Sequence, residues 1–169
     1  MKGLTIGKTM PHGYAGSYSR QPDMIVETHP LGGTEKLEFG SAVLYGTNGA
    51  VIPFGESGTA ADFIGIAIKE VKSATDYFNQ DAGSYQPGEA VPVMKRGCVN
   101  VICQNGTPTA DGTVYVRTKK SESHPNAVIG GFEASADSAN SVTLTNAKWK
   151  GSADANGVAE LCILTRSHA

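Results

Sequence analysis

From Met24 onward, short apolar and β-branched runs alternate with clusters of Gly, Pro, Asn and Asp at close intervals. That is the pattern of strands joined by tight turns. Runs read as strands are 24–28, 42–45, 50–53, 63–68, 90–95, 98–103 and 113–118, followed by 128–133, 141–144, 148–150 and 158–165. The separators carry turn chemistry. Gly46-Thr-Asn-Gly49 contains the Asn-Gly pair favoured in tight hairpins. Gln86-Pro-Gly88, Asp111-Gly112 and Asp154-Ala-Asn-Gly157 mark further turns. Arg96-Gly97 falls between two β-branched runs and reads as a tight turn or a bulge.

Two stretches have helical features. Ser57–Asp62 is too short for more than a turn. Over Ile68–Gln80, the residues Ile68, Val71, Ala74 and Phe78 form one weak amphipathic stripe; irregular structure is expected there, with a short helix as the alternative. So many short strands predict an all-β fold, a compact sandwich or barrel of jelly-roll-like form. No repeat of roughly 20–50 residues is visible, which argues against a solenoid.

Residues 1–22 differ from the rest. Glycines recur between Met10, Pro11, Tyr14 and Tyr18 with no sustained period. The segment reads either as a frayed terminus or as an extended N-terminal arm that orders against a partner. On the second reading Tyr14, Tyr18 and Arg20 are the candidate partner or subunit contacts, being side chains enriched at interfaces. Residues 23–169 then form the β-rich domain.

Composition narrows the function classes. Only 18% of residues are charged, against roughly 25% in average soluble proteins, and 21 glycines fill part of the gap. The formal net charge is −2 and the pI about 6.1, so no global field attracts nucleic acid or an anionic membrane. The cluster Arg117, Lys119, Lys120 reads as a solvated strand end. No run approaches the roughly 18 apolar residues of a membrane span, and residues 1–21 lack the apolar core of a signal peptide. Cys98, Cys103 and Cys162 are an odd count. With a cytosolic origin they are expected to be free, buried, inert thiols.

Catalytic signatures are missing from the sequence: no G-x-S-x-G elbow, P-loop, H-E-x-x-H or dinucleotide fingerprint occurs. Gly55-Glu-Ser-Gly58 has the wrong spacing for an elbow and reads as a surface turn. His12, His29, His124 and His168 lie far apart in sequence, and His29-Pro30 and His124-Pro125 read as extended or turn dipeptides. Asp62, Glu70, Glu89 and Glu160 show no local pairing. Ser152-Ala-Asp154-Ala-Asn156-Gly157 resembles the start of a calcium loop. Ser occupies its first ligand position, however, and Ile163 at the twelfth offers no carboxylate. Trp149, between Lys148 and Lys150, reads as a core or sheet-face residue. No enzyme activity, cofactor or metal is expected.

Several segments taken in order resemble the phage structural cement, or capsid decoration, proteins. They are Phe39–Gly49, Phe63-Ile-Gly-Ile-Ala67 (F-x-G-V/I-A) and Tyr85–Gly97 (Y-x-x-G-x-x-V-x-V-x-x-x-G). Gly130-Gly-Phe132 and Gly157-Val-Ala-Glu-Leu161 complete the order. The resemblance spans roughly residues 37–165. It implies an all-β domain, made in the host cytoplasm and carried on the virion, that docks on the outside of the head and ties capsomers together. The implied partners are the major capsid protein and further copies of the chain, as a dimer or trimer. Two other readings compete. One is a carbohydrate- or receptor-binding β module of a tail or fibre, with Tyr77, Tyr85 and Trp149 as an aromatic cluster. The other is a β-barrel enzyme whose His and acidic residues converge from a distance.

Overall fold

A computed structural model describes residues 11–70 and 83–167. Among these residues the chain is nearly all β, with eleven strands in chain order. They are β1 (Tyr18–Pro30), β2 (Leu37–Glu38), β3 (Ala42–Tyr45), β4 (Val51–Pro53), β5 (Gly65–Ala67) and β6 (Ser84–Tyr85). Then come β7 (Ala90–Ile102), β8 (Thr113–Arg117), β9 (Phe132–Glu133), β10 (Ser141–Trp149) and β11 (Val158–Ile163). The helical alternative at 68–80 falls largely outside the described residues, as do Tyr77, His168 and residues 1–10. Among the described residues no helix is long and apolar enough to cross a membrane.

Nine strands make one antiparallel sheet in the order β4-β3-β5-β7-β11-β10-β8-β9, with β1 also paired to β7. β2 and β6 form a separate two-stranded ribbon. The sheet curls into a half-barrel: β9 comes back to the end of β7, where Cys103 bridges Phe132. The 13-residue β7 is the spine, hydrogen-bonded to β1, β5 and β11.

The two runs 90–95 and 98–103 are thus one strand. Gly97, at φ 122°, absorbs an irregularity instead of ending the strand, and a Cβ there would stand 2.9 Å from that of Met24. The runs 141–144 and 148–150 likewise fuse into β10, with a register shift between Leu144 and Lys148. β1 starts earlier than the run at 24–28, so residues 18–22 belong to a sheet strand.

The turns follow their sequences. Asn48 and Gly49 both have positive φ (56° and 74°) between β3 and β4. Pro87-Gly88 turns with Gly88 at φ 86° and the Glu89 N–H bonded to the Gln86 carbonyl at 3.0 Å. In the calcium-like stretch the Asp154 carboxylate accepts the N–H groups of Asn156 and Val158 at 2.9 and 3.0 Å. Its side chain serves its own turn.

Alternation along the strands divides the apolar residues between two clusters. The larger fills the curl of the sheet and includes Phe63, Ile66, Met94, Val99, Val101, Phe132, Leu161 and a fully buried Trp149. Phe63 and Phe132 meet edge to face at 6.4 Å between ring centres, a favoured aromatic geometry. The smaller cluster gathers Leu31, Leu37, Val43, Val51, Val91, Val93 and Tyr85. The Tyr85 hydroxyl donates to the Ile68 carbonyl at 2.6 Å, and burial pushes its pKa up to about 12.

The expectation of three free thiols is corrected by the strand register. β7 and β11 place Cys98 directly opposite Cys162, with Cα atoms 4.0 Å apart and the sulfurs bonded. Cys103 alone is free. A spacing of 64 residues hides this pairing in the sequence.

Candidate functional site

On β7 and β11 the residues Val99, Val101, Ala159, Leu161 and Ile163 point into the larger core. Strand alternation sends their neighbours Cys98, Asn100, Glu160 and Cys162 to the other face. Asn100 and Glu160 are nevertheless buried, because residues 11–20 lie over them. The Asn100 side-chain amide donates to the His12 carbonyl at 2.7 Å and to the Ser17 hydroxyl at 3.0 Å. Its backbone pairs with Gly16 and Ser17 at 2.8 and 2.9 Å. The His12 N–H reaches the Asp154 carboxylate at 2.9 Å. That bond, with those from the turn amides, holds Asp154 below its ordinary pKa.

Gly16 is the pivot of the overlay. Its φ is +84°, and a Cβ would lie 3.1 Å from the backbone nitrogens of Gly40 and Lys69. Only glycine combines that dihedral with so close an approach.

The three candidate contact residues take different roles. Tyr18 stands opposite Val99, half-buried against the larger core, and its hydroxyl donates to the Glu70 carboxylate. Burial, reinforced by Glu70, raises its pKa well above the phenol range. Arg20 holds Glu160 through two guanidinium nitrogens, Nη2 at 3.0 Å and Nε closer. This pair keeps the Glu160 carboxylate below its usual pKa. Among the described residues the Tyr14 hydroxyl has no hydrogen-bond partner, and Tyr14 stays 54% exposed. The Cys98 and Cys162 sulfurs and the Glu160 carboxylate lie within 4.8 Å of one another. The disulfide and Arg20 take up that donor set.

Tyr14 marks the edge of an open groove of about 1000 Å³. Its walls are the Tyr14–Ala15 segment, the turn between β2 and β3, Lys69, the end of β7 and the loop 123–128. Among the described residues five large hydrophobic side chains are exposed, and three of them line this groove: Tyr14, Ile102 at 51% and Val128 at 57%. The Lys69 ammonium lies 5.2 Å from the Tyr14 ring centre and 5.4 Å from that of Phe39, within cation–π range.

The far wall is fixed from beneath. Arg117, fully buried, pairs with buried Glu133 at 2.5 Å and with Asp137 at 2.9 Å. Asp137, held below its ordinary pKa chiefly by Arg117, lies 3.5 Å from His124 in that wall. Gln104 clamps Val128, donating to its carbonyl at 3.1 Å and accepting its N–H.

A family model of structural cement proteins (E217 gp24/Pam3 gp6) matches residues 4–164. The chain belongs to the phage structural cement family. Among solved structures, a chain in the capsid of Myoviridae phage XM1 is similar at a TM-score of 0.68 and 16% identity. The match covers 95% of this chain and 94% of that one, so the two share a fold. No curated protein matches. As a member of this family the chain has a structural role in the phage.

For this cement protein the aromatic cluster of a sugar-binding module does not assemble. Tyr85 and Trp149 are buried in separate cores, and Tyr77 lies outside the described residues. The groove residues Lys69, Ile102 and Val128 were not singled out from the sequence. One signal was present: in the alternation along 98–103, Ile102 is an apolar residue at the parity of Cys98 and Asn100, not of Val99 and Val101.

Proposed function

We propose that the protein binds the outer surface of the phage head and stabilises contacts between neighbouring capsomers, acting as a dimer or trimer. The observation that carries this reading is the match to the cement family along nearly the whole chain. Clustering of exposed apolar side chains in one groove supports it, since contiguous exposed apolar surface marks interaction sites. Many copies on one shell reinforce one another, because each contact after the first forms at high effective concentration.

In this reading the N-terminal arm also engages a partner. Tyr14 presents its ring to solvent, whereas Tyr18 and Arg20 already hold Glu70 and Glu160 and orient the segment that carries Tyr14. Deleting residues 1–10 tests the arm while keeping His12, Ser17 and Arg20, which bond Asn100 and Glu160. The decisive experiment adds purified protein to expanded heads that lack it and follows co-sedimentation. Saturable binding with greater resistance of the heads to heat is expected; no binding to heads of its own virus refutes the proposal. Sedimentation equilibrium reads the oligomeric state.

A further inference from the structure

We infer that the groove between Tyr14, Ile102 and Val128 receives an extended apolar segment of the head's shell protein, with a carboxylate of that segment paired to Lys69. The inference rests on the head-binding reading above and assigns it a place on the molecule. Three observations lead to it.

The first is exposure. Tyr14, Ile102 and Val128 are each more than half exposed and line the same groove, an arrangement that leaves apolar surface unburied unless something covers it. Its volume of about 1000 Å³ accommodates several side chains of an extended peptide.

The second is charge. Glu38 in the wall pairs with Lys36 at 2.7 Å, and Asp137 beneath His124 shares Arg117, at 2.9 Å, with Glu133. Lys69 rests on two aromatic rings and has no ion-pair partner among the described residues. Among the described residues the groove thus presents a cation without an ion-pair partner beside the exposed apolar side chains of Tyr14, Ile102 and Val128, and its complement is an apolar segment bearing an anion. The chain's own first ten residues do not fit, since they contain Lys2 and Lys8 and no Asp or Glu.

The third is rigidity. The Gln104 clamp on Val128 and the Arg117–Asp137 pair under His124 fix the wall before any partner arrives. A preformed site loses less free energy to ordering on binding.

The test compares the full chain with Lys69→Glu, Lys69→Arg, Ile102→Asp and Val128→Asp in head co-sedimentation, with thermal melts alongside. Lys69→Glu, Ile102→Asp and Val128→Asp should each weaken binding about tenfold or more, the scale of a central interface residue, while Lys69→Arg binds nearly as the parent does. All these side chains are exposed, so melting is expected to change little; should an Asp variant melt early, Ile102→Ser replaces it. Binding undiminished in the charged variants overturns the inference while leaving head attachment standing. Should the parent itself not bind heads, overlapping peptides of the shell protein decide the groove separately. Acidic apolar peptides retained by the parent and lost by Ile102→Asp support it, and no retained peptide overturns it. Self-association abolished by Ile102→Asp with head binding intact assigns the groove to a second copy and also overturns it.

Discussion

The side-chain NH2 of Asn100 reaches from the spine strand β7 to the His12 carbonyl at 2.7 Å, so a buried donor in mid-sheet is satisfied by the chain's own N-terminal segment. Asn100→Ala removes that bond and the one to Ser17. Each such hydrogen bond contributes about 0.5–1.5 kcal/mol net. The expected result is a lower denaturation midpoint and faster proteolytic cleavage before Tyr18; a midpoint equal to the parent's contradicts the fastening.

Acid should loosen the same segment. Asp154 and Glu160 both have folded pKa values depressed by their bonds to His12 and Arg20. A depressed carboxylate stabilises the fold above its unfolded pKa of about 3.9–4.3 and loses that contribution as pH falls through the folded value. Stability at neutral pH should therefore fall on acidification below about pH 4.3. The Asp154→Asn, Glu160→Gln double variant should start lower and show a flatter acid limb. An acid limb as steep as the parent's would remove these two groups from the explanation.

Gly65 and Gly55 form a matched pair. A Cβ on Gly65 would lie 2.3 Å from the Met94 carbonyl oxygen and 2.7 Å from Val93 Cγ1, whereas one on Gly55 meets nothing within 4 Å. Gly65→Ala forces β5 away from β7 and should cost about 3 kcal/mol or more, at the upper end of overpacking penalties. Gly55→Ala should be close to neutral. Equal melting temperatures for the two variants refute the close packing of β5 on β7.

Thiol counting checks the pairing of Cys98 with Cys162. Alkylation in denaturant without reductant should modify Cys103 alone, and all three cysteines after reduction. Reduction should destabilise by about 2–4 kcal/mol, the usual range for a cross-link closing a loop of this length. Three reactive thiols before reduction would show the pair to be open.

How far the sequence could be read depended on how local each determinant is. Asn48-Gly49 and Pro87-Gly88 impose their turns through dihedrals within four residues, and both were legible. Gly97 was not, because the same left-handed φ can end a strand or bend one. The choice is made by Asp23 and Met24 arriving from more than seventy residues earlier. The β2–β6 ribbon pairs Leu37 with Tyr85 and Glu38 with Ser84, too short to leave a period. Residues 11–22 lack an apolar rhythm because polar residues, Asn100 and Glu160, hold much of the segment in place. Of the candidate contacts, Tyr14 faces a groove whose other walls come from distant parts of the chain, and that convergence has no local signature.

The last strand, β11, is hydrogen-bonded to β7 on one side and β10 on the other. Without β11, the facing edges of β7 and β10 would both lose their backbone partners at once. Bare edges of that kind pair readily with other chains, so displacing this one strand would expose two sticky surfaces together. The topology thus makes β11 the clasp of the sheet, a single strand that seals both halves of it.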